Sequence, residues 1–228
     1  MKKSFLVMLL QLSTVVTTAV VKVEIRNPWS DAAGYSECPE WVTPNKTLPK
    51  PIRDICGVHV ECPKSVKIAN SDCGYGTRRL LSGKWVTTKV VKNDYYKAYF
   101  RLFDYTSGGN ADQAILPVTS PLVTKSSPNP DENSMHLYIS DLYQASPPTP
   151  TNHEVYIESW DERVMYYRAL GREGASIPPD VWTEELSRLV TAVQRAGGAL
   201  SLNESVVAAF VEPGVSVTGR YEIIYFSE

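Results

Sequence analysis

The sequence predicts an α+β fold, with one antiparallel sheet built from two similar ββαββ halves around two helices. Three observations in its 228 residues lead there. Short segments rich in Val, Ile, Tyr and Thr recur between turn signals, and two stretches show helical periodicity instead. Their order is ββαββ, a Ser/Pro-rich connection, then ββαββ. Helices set to one side of an antiparallel sheet leave room for a groove between helix and sheet.

The chain opens with MKKSFLVMLLQLSTVVTTAVVKVE. Two lysines, an apolar run, and Thr17 and Ala19 at the −3 and −1 positions of a cut after Ala19 read as a secretory signal peptide over residues 1–19. Gln11, Ser13 and the threonines interrupt the run, and it is short for a membrane span. Residues 20–61 carry Pro28, Pro39, Pro44, Pro49 and Pro51 with little periodicity, which predicts a Cys/Pro-rich extension ahead of a domain over 62–228. Cys38, Cys56, Cys62 and Cys73 in an exported chain predict two disulfides, with three pairings open. Zinc is disfavoured: no C-x-x-C pair exists, and His59, His136 and His153 are scattered. Asn45-Lys46-Thr47 and Asn203-Glu204-Ser205 match the acceptor pattern for N-glycosylation. The net charge of −2 argues against nucleic acid as a partner, since phosphate neutralisation needs a basic face.

From residue 62 the expected strands are YGTRRLL, KWVTTKVV, AILPVTSPLV and MHLYIS, then HEVYIESW, RVMYYRAL, SVVAAFV and GRYEIIYF. A helix over about 94–107 divides the first four, and YQASPPTPTN joins the halves. The second helix, about 180–196, starts after Pro178-Pro179 and stops at Gly197-Gly198, with Trp182, Leu186, Leu189 and Val193 as its core stripe. In the first helix, DYYKAYFRLFDY, the residues Tyr95, Tyr96, Tyr99, Phe100, Leu102 and Phe103 span an arc of roughly 160°, with Lys97, Arg101 and Asp104 opposite. That arc is wider than core packing needs, so core stripe and ligand platform both stay open.

Catalytic patterns are missing: the sequence has no G-x-S-x-G elbow, no H-E-x-x-H and no phosphate loop. GYG at 74–76 reads as a turn. Glu184-Glu185 reads as helix-start carboxylates that favour the dipole.

The segment AYFRLFDYTSGGN resembles the SOUL family of haem-binding proteins through Ala98, Tyr99, Leu102, Tyr105, Gly108 and Asn110. Val118, Thr119, Pro121 and Leu122 are similar to that family's next strand. Tyr75, Arg78, Lys84, Trp85 and Val86 are similar to its opening, and Ala208, Ala209, Phe210, Pro213, Arg220, Glu222, Ile223, Ile224 and Tyr225 to its close. The resemblance implies a monomeric distorted antiparallel barrel and a non-covalent haem or tetrapyrrole site, with no catalysis. The implied site lies between the first helix and the loop before the last strand: Tyr96, Tyr99 and Phe103 on the helix, Phe210 and Val217 at the loop. Where one member type carries a histidine near the iron, this chain has Arg79, which cannot bind metal. No metal ligand is therefore assigned, and tyrosinate ligation from Tyr99 or Tyr96 stays open. Arg220, Arg101 or Lys97 replace loop lysines toward propionates. Phe100 and Leu102 are expected to face the sheet. The rival readings are an extracellular protein-interaction module and, behind it, a hydrolase of hydrophobic small molecules.

Overall fold

The computed structural model describes Cys56 and residues 60–70, 74–171, 179–210 and 220–228. The signal segment, Cys38, His59, Cys73 and Val217 lie outside them. The strands are β1 (Ser65–Asn70), β2 (Gly76–Leu80), β3 (Gly83–Lys89), β4 (Leu122–Ser126), β5 (Ser134–Tyr138), β6 (Val155–Trp160), β7 (Arg163–Gly171), β8 (Ser205–Phe210) and β9 (Arg220–Phe226). The helices are α1 (Tyr95–Thr106) and α2 (Pro179–Arg195).

All nine strands join one antiparallel sheet in the order β1-β2-β7-β9-β8-β4-β5-β3-β6, curled into a half barrel. Omitting β1, the order reads the same from either end once each strand of the first ββαββ unit is exchanged for its counterpart in the second. A pseudo-two-fold axis therefore passes between β4 and β8, whose pairing runs from Leu122↔Ala209 to Ser126↔Ser205. The two-halves expectation holds.

Two elements differ from expectation. β1 lies outside the symmetric eight and pairs only with β2, and all six of its residues are exposed. The expected strand over 114–123 is instead an irregular run up to residue 121, with β4 starting at Leu122. Pro117 and Pro121 within that run have no N–H to give to a ladder.

Strand alternation divides the core into three. On the outer face, α1 packs with Tyr95, Ala98, Leu102 and Tyr105 against Val86, Leu122, Met135 and Val155. α2 packs with Trp182, Leu186, Leu189 and Val193 against Val207, Ala209, Tyr221 and Ile223. Among the described residues no helix covers the inner face, whose core is Trp85, Val123, Trp160, Phe210, Ile224 and Phe226. There the Trp85 and Trp160 rings stack at 4.4 Å.

Cys56 and Cys62 form a disulfide at a separation of six residues. On the chain-entropy model such a short loop contributes about 2 kcal/mol. Cys56→Ser/Cys62→Ser is therefore expected to lower stability by that amount in chemical denaturation, leaving the far-ultraviolet spectrum unchanged.

Candidate functional site

Helix α1 is fixed at both ends by its own sequence. Asp94 caps its start, accepting from the Lys97 N–H at 2.9 Å. At its end Gly108 takes a left-handed φ of 110°, and the Gly109 N–H returns to the Asp104 carbonyl at 2.8 Å. Asn110 is buried; its amide donates to the carbonyls of Tyr105 and Ala114, and its oxygen accepts from the Ala114 N–H. The Tyr105 hydroxyl donates to the Pro148 carbonyl at 2.9 Å. Tyr105, Gly108 and Asn110 thus lock the helix end, and that lock holds the outward face of α1 in place.

That outward face is aromatic. Tyr96, Phe100 and Phe103 are 46%, 42% and 49% exposed, and Tyr99 is half-buried beside them. Their rings form one continuous group: Tyr96–Phe100 at 4.4 Å, Tyr99–Phe100 at 5.5 Å, Tyr99–Phe103 stacked at 6.0 Å and Phe100–Phe103 at 6.5 Å. Water-facing rings held against one another in this way make this face a candidate binding surface. Burial pushes the Tyr99 hydroxyl up to about 12, so it stays protonated at neutral pH.

The structure brings together Tyr96, Tyr99 and Phe103 as expected, and adds Phe100, which was expected to face the sheet. The buried stripe is Tyr95, Ala98, Leu102 and Tyr105, and Phe100 falls outside it. Arg101, expected opposite the rings and available to a propionate, is only 7% exposed. It pairs with Glu154 of the segment leading into β6 and donates to the Lys89 carbonyl. Phe210 is not on this face: it points to the inner side of the sheet, within the core behind β8. Arg220 pairs with Phe210 in register across β8 and β9.

The described histidines stand apart from the α1 face. His153 is exposed in the turn before β6. His136 is fully buried on the inner face, within hydrogen-bond distance of the Thr87 and Ser134 hydroxyls at 2.9 and 2.8 Å and 3.3 Å from a Glu158 carboxylate oxygen. Burial lowers its pKa below 6.5, whereas Glu158 is held well below 4.5, first by its hydrogen bond from His136. Both shifts have the same sign for stability. The unfolded chain takes up a proton at His136 below pH 6.5, and at Glu158 below pH 4.5, before the folded chain does. Stability is therefore expected to be full above about pH 6.5 and to fall as pH drops through both windows. Thermal melts from pH 8 to pH 3 check this, and His136→Gln should remove the upper onset. A melting temperature independent of pH between 7 and 5 would contradict it.

The inner face carries a partly open cavity of about 250 Å³ lined by Trp85, Trp160, Phe210, Phe226 and the Cys56–Cys62 disulfide. Among the described residues no group of three or more His, Cys, Asp or Glu could hold a metal ion, and no helix is long and apolar enough to cross a membrane.

Fold and face together define a class: a pseudo-symmetric ββαββ domain with an aromatic helix face turned outward. The SOUL heme-binding protein family model matches residues 60–226, and the chain belongs to that family. Among curated proteins it is similar to Heme-binding protein 1 of Xenopus tropicalis, 32% identical over 103 residues, and to that of Xenopus laevis, 29% identical over 103 residues. Each match takes in 41% of this chain and 54% of the relative, so the chain spans about half the length of the curated relatives it matches. Among solved structures it is similar to a hydrolase from Listeria innocua, at 10% identity and TM-score 0.43 over 65% of this chain and 90% of that one. A putative bacterial transcription regulation protein from Staphylococcus aureus matches at 11% identity and TM-score 0.38, over 68% and 97%. At such identity and TM-score neither likeness bears on function.

Proposed function

We propose that the chain is an exported, monomeric protein that binds haem or another tetrapyrrole non-covalently on the outer face of α1 and catalyses nothing. The observation that carries this reading is the ring group of exposed Tyr96, Phe100 and Phe103 with half-buried Tyr99 among them, on a helix pinned at both ends. Planar rings suit the face of a macrocycle, with tyrosine hydroxyls at its edge. When bound, the macrocycle would supply a large flat apolar surface and, in haem, a redox-active iron. The chain's own part is to shield one face, and exposed Lys97 on the same helix is the candidate for a propionate. Burial keeps the Tyr99 hydroxyl protonated at neutral pH. Membership of the family and the names of the Xenopus relatives support the ligand class. The Cys56–Cys62 disulfide supports export, since such bonds persist in oxidising compartments.

Titration of the full chain with hemin, followed by Soret absorbance, tests the proposal. One hemin per chain is expected, with saturation in the micromolar range or tighter. His153→Ala should leave the affinity within about threefold, under ~0.7 kcal/mol. Absence of a saturable Soret change would overturn the assignment and leave the face to a protein partner.

A further inference from the structure

The cavity on the inner face lies on the opposite side of the sheet from α1 and plays no part in the haem reading. Its floor is apolar and packed: Trp85, Val206, Ala208, Ile224 and Phe226 are all nearly inaccessible to water. Its rim carries two cations. Lys67 of β1 and Arg78 of β2 both line it, and they are direct cross-strand partners in the β1–β2 ladder. Like charges set opposite each other in a ladder destabilise it unless an anion stands between them.

One carboxylate already serves this rim. Glu222 of β9, fully buried, accepts from both terminal nitrogens of Arg78. The guanidinium also lies over the Tyr167 ring, 4.4 Å from its centre. A Cβ on Gly76 would come within 2.4 Å of that ring, so glycine there is what lets Tyr167 lie flat across β2. Arg78 is thus fixed with its Nε–H buried and without a hydrogen-bond partner. Among the described residues at this rim, two cations face one carboxylate, above a floor of apolar side chains, and a buried donor left unmade costs about 1–3 kcal/mol.

We propose that this cavity is a second ligand site, distinct from the α1 face, and that it takes a small apolar molecule carrying a single carboxylate. The carboxylate would sit between Lys67 and the exposed edge of the Arg78 guanidinium, and the apolar body would lie against Trp85, Trp160 and Phe226. Size limits the class. A dry cavity of about 150 Å³ accepts benzene, whereas pockets for drug-sized ligands run from about 300 Å³ upward. At about 250 Å³ the chamber suits a substituted aromatic acid or a medium-chain fatty acid, and a tetrapyrrole is too large for it.

The test uses decanoate as probe and 1-decanol as its uncharged counterpart, titrated into the full chain by calorimetry and tryptophan fluorescence. Decanoate is expected to bind saturably at one per chain, at least tenfold tighter than decanol. Lys67→Glu, a change on an exposed strand, should weaken decanoate at least tenfold and leave decanol within twofold. Ala208→Phe should fill the chamber and abolish both; if that variant does not fold, the smaller Ala208→Leu should still weaken both. Hemin uptake should be unaltered in each of these variants, so this site can fail without the α1 reading failing, and the reverse. The proposal is overturned if decanoate does not saturate, or if it binds no tighter than decanol. It is equally overturned if Lys67→Glu and the folded Ala208 variants leave decanoate unchanged, or if Tyr99→Ala/Phe103→Ala abolishes decanoate binding and so moves the probe to α1.

Discussion

Leu102→Ala is expected to destabilise the protein by about 2–5 kcal/mol, whereas Phe100→Ala, two residues away on the same helix, should cost less than about 1 kcal/mol. The contrast follows from where each side chain goes. Leu102 is completely inaccessible and packs within the cluster that holds α1 to β3, β4, β5 and β6. Truncating it removes apolar contact and leaves a cavity that the tightly packed sheet cannot collapse to fill. Phe100 faces water and touches chiefly Tyr96, Tyr99 and Phe103, so its loss forfeits ring contact and little burial. Urea denaturation of both variants measures the difference. Equal losses would mean that the aromatic face is core after all.

Arg78→Ala is expected to cost about 3–5 kcal/mol, the scale of leaving a buried charge uncompensated. Glu222 is fully buried on β9 and accepts from the guanidinium of Arg78 across the inner face. Removing the guanidinium also takes away the cation stacked on Tyr167. Replacing both members, as Arg78→Met/Glu222→Gln, should recover most of the loss, because no charge is then left buried. Chemical denaturation of the two single variants and the double variant forms a cycle that isolates the pair. A loss under about 1 kcal/mol for Arg78→Ala would show that water reaches Glu222.

The ββαββ repeat was readable because each half alternates cleanly between apolar strands and one periodic helix, and because Pro178-Pro179 and Gly197-Gly198 punctuate the second helix. β1 escaped notice for a physical reason. Ser65–Asn70 buries none of its residues, so it carries no strong apolar alternation, and only Val66 and Ile68 hint at a strand. Within α1, an aromatic arc of roughly 160° could not by itself fix which edge faces the sheet. The spacing of Tyr95, Ala98, Leu102 and Tyr105 does fix it, and that stripe sends Phe100 outward. Arg101 was legible as a charge and not as a buried one, because its partner Glu154 lies 53 residues away across the connection between the halves. The motif residues Tyr105, Gly108 and Asn110 pointed to the family, yet their work is to end α1. The cavity rim left no linear signal, since Lys67, Arg78 and Glu222 meet only through strand pairing.

The most direct measurement of the central claim is a set of hemin titrations on Tyr96→Ala, Tyr99→Ala and Phe103→Ala, each with a thermal melt of the same sample. The account predicts that each variant melts within a few degrees of the parent chain and loses about 1 kcal/mol of hemin affinity, roughly fivefold in Kd. Hemin affinity unchanged in all three folded variants would contradict it and take the tetrapyrrole site away from α1.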